Sequence, residues 1–163
     1  MSSVPTAAAS SSQKRNPEIF GFIDGASRGN PGESACAFVL CNRQGELLFQ
    51  CARRIGRATN NQAEYQALLG LLAKVIELGI NEVTVFSDSQ LLVRQISGAY
   101  RVQSPQLKPL YREVLNQVKK LTDFNIYHIP REQNTLADQL ASQVLSTHLK
   151  LKPVFEQAER GNI

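Results

Sequence analysis

An α/β domain on a five-stranded mixed sheet, with three antiparallel strands, then parallel ones, and flanking helices, is the architecture the amino-acid sequence predicts. Three observations carry it. The first third of the chain holds three runs of period-two or β-branched character, joined by short Gly-containing turns. From residue 60 the apolar period switches to that of a helix. Beyond it, short apolar runs alternate with amphipathic helical segments, so the strands they contain must be parallel and joined by right-handed crossovers.

The first strand is Glu18 to Asp24 (EIFGFID), whose alternation sets Phe20, Phe22 and Asp24 on one face. Gly29-Asn30-Pro31-Gly32 turns the chain into a second strand from Ser34 to Cys41, and Asn42-Arg43-Gln44-Gly45 turns it into a third, from about Glu46 to Ile55. A long helix follows from Asn60 to Leu78, stopped by Gly79. Val83 to Phe86 is a short fourth strand. Ser87 to Gln90 has the S-x-x-Q form of a capping box and opens a helix ending near Gly98. Pro105 to Leu121 reads as a further amphipathic helix, Phe124 to Ile129 as the fifth strand and Gln133 to Leu145 as the last helix. The domain is thus expected over residues 18–146, between a Ser/Ala-rich leader (1–17) that reads as disordered and a polar tail (147–163). The leader carries two basic residues and no amphipathic pattern, which argues against a transit peptide.

Composition bounds the function. At 42% hydrophobic and 20% charged, 163 residues suffice for one core. The longest apolar stretch, Ala67 to Ala73, falls far short of the ~20 residues of a membrane-spanning helix. The first residues lack the apolar segment of a secretory signal. Three cysteines cannot complete a disulfide framework, and Cys36 and Cys41, five apart in one strand, point to opposite faces. A reducing, cytoplasmic setting and a monomer without membrane attachment are the expectation. Lysine and arginine number 18 against 14 acids, a net +4. Setting aside four acids that share one site leaves 10 (14 less four) against the 18 basic groups, which favours a polyanionic partner.

Those four acids stand where carboxylates are costly. Glu64 shares the apolar stripe of the long helix with Leu68, Leu71, Leu72 and Val75, so it faces the sheet. Asp24 follows Phe20 and Phe22 on one strand face. Asp88 stands just past the fourth strand, at the end where α/β sheets place ligands. Asp138 borders the apolar stripe of the last helix (Ala137, Leu140, Ala141, Val144). Each has a local explanation as well: the helix dipole for Glu64, a turn at Asp24-Gly25, a cap at Asp88 and a solvated edge at Asp138. All four on converging elements favour a common site. No arginine or lysine is obviously placed to pair with them, and neither histidine has metal-like partner spacing. Four carboxylates select a hard divalent cation, Mg²⁺ or Mn²⁺, and two such ions suit in-line displacement at a phosphodiester. An acid cluster beneath a basic surface reads as a metal-dependent nuclease.

Residues 24–32 (DGASRGNPG), 59–64 (TNNQAE), 86–90 (FSDSQ) and 130–138 (PREQNTLAD) resemble the four signature segments of type 1 ribonuclease H, over about Ile19 to Leu145. The resemblance implies the ribonuclease H-like fold and endonucleolytic cleavage of RNA paired to DNA, leaving 5′-phosphate and 3′-hydroxyl ends. It implies two Mg²⁺ held by Asp24, Glu64, Asp88 and Asp138, with Mn²⁺ as a substitute. Its substrate contacts map onto Asn30, Asn60, Asn61 and Gln90, amides suited to 2′-hydroxyls and minor-groove edges. Arg57 and Thr59 match its pocket for a DNA-strand phosphate. Asn60 or Asn61 is also expected to cap the long helix.

Three departures from the family pattern are visible. Pro130 to Ala137 holds no loop histidine, leaving Arg131, Glu132 or the metals alone to take its place, while His128 lies in the strand and is expected to pack. The tryptophan-bearing basic handle is absent from the short stretch 98–108. Leu91 stands where members often carry an aromatic. Two alternatives remain in view. A proofreading-type exonuclease needs a D-x-E motif, but Asp24 is followed by Gly25 and Ala26. A non-catalytic nucleic-acid-binding module would be free to lose acids, yet all four are present.

Overall fold

The computed structural model describes residues 18–146; the expected leader and tail lie outside the described residues. Five strands, β1 (Ile19–Gly29), β2 (Gly32–Asn42), β3 (Leu47–Ala58), β4 (Glu82–Ser87) and β5 (Asp123–His128), form one sheet in the order β3-β2-β1-β4-β5. β1 to β3 make an antiparallel meander, and β4 runs parallel to both β1 and β5. The helices are α1 (Asn60–Glu77), α2 (Gln90–Ile96), α3 (Lys108–Val118) and α4, over residues 135–146. The mixed five-stranded architecture read from the sequence is the one observed.

One face of the sheet carries the core. Leu68, Leu71, Leu72 and Val75 of α1 are fully buried against Ile23, Phe38, Leu40 and Val85. Each such side chain contributes roughly 1.5–3 kcal/mol through removal from water. Gly21 lets α1 approach closely: a Cβ there would sit 2.4 Å from Leu71 Cδ1. On the opposite face Phe20, Phe22, Phe86 and Tyr127 make a chain of aromatic contacts across β1, β4 and β5, with centroids 5.2–6.1 Å apart. There α4 lies over β1 and β2, and Leu136 and Ala137 line a cavity of about 170 Å³ with Phe22 and Val39. Arg54 of β3 reaches the far end of α4, donating to the Leu145 carbonyl at 3.2 Å. Cys36 and Cys41 fall on opposite faces as expected, and all three cysteines are free.

The elements differ from expectation mainly at their ends. β1 continues past Asp24 to Gly29, because β2 pairs with it all the way to Gly29↔Gly32. That tight end requires Gly32, where a Cβ would lie 1.8 Å from the Arg28 carbonyl oxygen. Ser87 is not a cap. It is the last, buried residue of β4, and its hydroxyl accepts from the Ser89 amide (3.0 Å), while Ser89 caps α2 by accepting from the Leu92 amide (3.2 Å). α3 starts at Lys108 rather than Pro105, with Pro109 in its first turn, where a missing N–H costs nothing. Before α4, Arg131–Gln133 form a single 3-10 turn.

Candidate active site

The site lies midway along β1 and at the carboxyl end of β4. Phe22↔Phe86 and Ile23↔Ser87 are paired across these strands, so the next rung sets Asp24 beside Asp88. Glu64 comes from α1, and its approach depends on Gly25. A Cβ at Gly25 would stand 2.7 Å from Ala63 C and Cβ and from the Glu64 amide nitrogen, so only a glycine lets the first turns of α1 close onto the strand. The Gly25 amide then donates to Glu64 Oε1 at 3.0 Å. Asp24, Glu64 and Asp88 each offer a carboxylate oxygen, and these oxygens lie within 4.8 Å of one another. Asp24 and Glu64 are 4% and 7% exposed, and Asp88 is half-buried. The turn and cap explanations for Asp24 and Asp88 fall away, since one is mid-strand and the other precedes the capping serine.

Asp138, at the start of α4, is the more open fourth member. It lies outside the group within 4.8 Å but close enough for its charge to raise the proton affinity of Asp24. The sequence placed no cation near the cluster. The structure corrects this: Arg131 Nη2 lies 3.8 Å from Asp138 Oδ1, though with the arginine side chain 81% exposed the pair is a loose surface contact.

Crowding of acids raises their proton affinity. Burial, followed by the Asp88 and Asp138 charges, pushes the Asp24 carboxyl up to about 7, against a lowering hydrogen bond with Glu64. Burial and the Asp24 charge hold Glu64 well above the usual carboxylate range, while the Gly25 amide opposes them. Among the described residues, Glu64 Oε2 is buried with no hydrogen-bond partner. A buried anionic oxygen without a donor is the atom a cation would satisfy. The donor set is oxygen only. Cys36 is close enough to feel the Glu64 charge, but burial pushes its thiol up to about 11, so it stays protonated and is no soft ligand near neutrality. The residues present fit a hard divalent cation such as Mg²⁺ or Mn²⁺.

The expected substrate residues are exposed or half-buried. Asn30, at the β1–β2 turn, and Asn60 meet: Asn30 Oδ1 accepts from the Asn60 amide at 3.0 Å. Asn61 is exposed beside them. Neither Asn60 nor Asn61 caps α1. Thr59 does, accepting from the Gln62 amide (3.1 Å) while Gln62 Oε1 accepts from the Thr59 amide (2.8 Å), a complete capping box. Arg57, near the end of β3, is exposed and lines a cavity of about 260 Å³ with Gln62, Gln66 and Gln106. Gln90, the first residue of α2, is exposed two positions after Asp88. Its helix is anchored where Tyr65 donates its buried hydroxyl to Gln95 Oε1 at 2.7 Å.

A family model described as "Reverse transcriptase-like" matches residues 22–144. Ribonuclease HI of Halobacterium salinarum is 37% identical over 131 residues, covering 80% of this chain and 66% of that protein. The crystal structure of RNase H1 from that archaeon covers 98% of its own chain in superposition on this one, with a TM-score of 0.77. The chain is a member of the ribonuclease H family. Two further ribonuclease H relatives agree: bifunctional protein Rv2228c of Mycobacterium tuberculosis, 38% identical over 123 residues (75% of this chain and 34% of that one), and LC11-RNase H1, solved in complex with an RNA/DNA hybrid, at 34% identity, TM-score 0.77 and coverage of 81% and 99%. The chain thus spans 66% of the length of the archaeal protein and about a third of Rv2228c.

Against the ribonuclease H pattern, the interval without a histidine forms the 3-10 turn and the start of α4. His128 does not pack as expected: it is exposed at the end of β5. Leu91 is 37% exposed on α2. Two features of the site escaped the sequence reading. Gly25 has a signal, its place directly after an acid that interrupts an apolar alternation. Asn134 is wholly buried, and its side-chain amide donates to the Ile23 carbonyl (2.8 Å) and Asp88 Oδ2 (3.2 Å). An asparagine just before a helix reads as an ordinary cap, which hid it.

Proposed function

We propose that this ribonuclease H-family chain hydrolyses the RNA strand of RNA–DNA hybrids endonucleolytically, with Mg²⁺ as the resident cation and Mn²⁺ as a substitute. The observation that carries this reading is the convergence of Asp24, Glu64 and Asp88 within 4.8 Å around a buried, unpartnered Glu64 oxygen. The hybrid bound by LC11-RNase H1 supports the choice of substrate. Asp24, Glu64 and Asp88, with Asp138 at the open side, would hold two divalent cations, which supply Lewis-acid activation of water and stabilisation of charge developing at phosphorus and the leaving oxygen.

The chain's own residues orient the reaction. The Gly25 amide fixes one Glu64 oxygen and leaves the other free to ligate. The paired β1 and β4 hold Asp24 and Asp88 in one register, so the carboxylates need little reorganisation on binding. Asn30, Asn60, Asn61 and Gln90 present neutral amides that donate to and accept from 2′-hydroxyls, which DNA lacks, so the strand cut is the RNA. Arg57 and the Thr59 hydroxyl take a phosphate of the DNA strand. Attack of water on phosphorus with departure of the sugar 3′-oxygen leaves a 5′-phosphate and a 3′-hydroxyl. A reducing, cytoplasmic setting belongs to the same proposal and is supported by the three free thiols.

The test is Mg²⁺-dependent cleavage of a labelled RNA strand annealed to DNA, beside the same RNA alone and in an RNA duplex. Cleavage of the hybrid alone, giving 5′-phosphorylated products, is the expected result. Hybrid binding without any cut, in Mg²⁺ or Mn²⁺, would overturn it in favour of a binding module.

A further inference from the structure

Asn134 is 1% exposed and directly precedes α4, where an asparagine ordinarily turns its side-chain oxygen onto the helix's free amides. Here that oxygen is buried without a hydrogen-bond partner among the described residues, and the amide nitrogen is turned the other way. Its two hydrogens serve two acceptors, the Ile23 carbonyl on β1 (2.8 Å) and Asp88 Oδ2 after β4 (3.2 Å). The Asn134 carbonyl accepts from the Asp138 amide at 3.2 Å, the first hydrogen bond of α4. One residue thus touches the carbonyl preceding Asp24, the Asp88 carboxylate and the turn carrying Asp138.

An orphaned buried acceptor costs stability, so this side chain is poorly explained as a device for holding the fold. Its chemistry suits holding a metal ligand. Asp88 sits in a bend, and repulsion from Asp24 and Glu64 drives it outward unless a donor restrains it. A lysine or arginine here would neutralise the carboxylate and compete with a cation. A hydroxyl has one hydrogen and could restrain the carboxylate or the strand, not both. A neutral amide restrains both and leaves the charge of the site intact.

Resting on the metal-site reading above, we propose that Asn134 is a positioning residue: through its hydrogen bond to Asp88 and its tie to β1 it sets the cation affinity of the carboxylate cluster, without contacting substrate. The test is calorimetric titration of Mn²⁺ into the full chain, without substrate, together with kcat and KM on hybrid at saturating Mg²⁺. Asn134→Ala is expected to weaken Mn²⁺ binding by about 10- to 100-fold, the usual loss on removing a group that orients a metal ligand. KM for the hybrid should stay close to wild type, while the melting temperature of the metal-free protein should fall by several degrees, because the buried Ile23 carbonyl loses its donor. Combined with Asp88→Asn, its effect on Mn²⁺ affinity should largely disappear, since the two act as one unit. Asn134→Ser keeps a single donor, should lie between, and decides the matter if the alanine variant does not fold. Unchanged Mn²⁺ affinity in a folded Asn134 variant, full additivity with Asp88→Asn, or a loss confined to KM would each overturn the inference. Wild-type protein that binds no Mn²⁺ would overturn the metal-site reading itself, and this inference with it.

Discussion

Gly25→Ala tests how the site is assembled. The added Cβ would meet Ala63 C, Ala63 Cβ and the Glu64 amide nitrogen at 2.7 Å, whereas ordinary contact begins near 3.4 Å. Two of those atoms are helix backbone, which has no rotamer to escape into, so α1 must lift from β1 by at least about 0.7 Å, the difference between those distances. Overpacking of this kind costs roughly 1–3 kcal/mol, lowering the melting temperature by about 4–12 °C in a domain of this size. The same movement lengthens the 3.0 Å bond from Gly25 to Glu64 and draws that carboxylate away from Asp24 and Asp88. Displacing a reacting group by about 1 Å costs on the order of 100-fold in rate. The assay is hybrid cleavage at a temperature where circular dichroism shows the variant fully folded, beside a thermal melt. Wild-type kcat with an unchanged melting temperature would refute the argument that a missing side chain at Gly25 seats Glu64.

Four further outcomes are expected. Asp24→Asn should abolish cleavage at saturating metal while the protein remains folded; near-normal turnover on labelled hybrid would remove Asp24 from the ligand set. In EDTA, stability should fall as pH rises from about 4 to about 7: a carboxyl whose folded value is raised from 3.8 to about 7 stabilises the fold fully below the unfolded value and loses that contribution through the folded one. Thermal melts against pH should show this slope in wild type, a weaker slope in Asp24→Asn, and recovery above pH 7 on adding Mg²⁺. Thr59→Ala, which breaks the capping box of α1, should cost about 0.5–2 kcal/mol in denaturant unfolding. Asn61→Ala, which removes no cap, should leave that midpoint alone and raise KM for hybrid several-fold.

Much of the fold was legible because its periodicities are local. The alternation of Phe20, Phe22 and Asp24, and the Leu68, Leu71, Leu72 and Val75 stripe, each announce one face of one element, and the structure buries the α1 stripe as that pattern requires. Boundaries were less legible. β1 extends to Gly29 because its partner strand continues, information held in residues 32–37 rather than in β1 itself. The caps moved by one or two residues, from Ser87 to Ser89 and from Asn60 or Asn61 to Thr59, because several adjacent polar residues compete for one role. His128 was expected to pack, yet β5 is an edge strand and leaves its end open to solvent.

By itself the chain determined that four acids stand where apolar residues belong, and on which elements. Only the tertiary structure decided how they meet. Asp24 and Asp88 become neighbours through a parallel register between strands 64 residues apart, Glu64 joins them through a helix that settles where Gly25 has no side chain, and Asp138 stays at the open edge. Asn134 belongs to that second class, since a side chain's choice between capping its own helix and reaching across two strands depends on which acceptor packing brings within 3 Å or so. Periodicity is a property of neighbours along the chain, whereas a ligand set depends on distances that the sheet register and helix packing impose together.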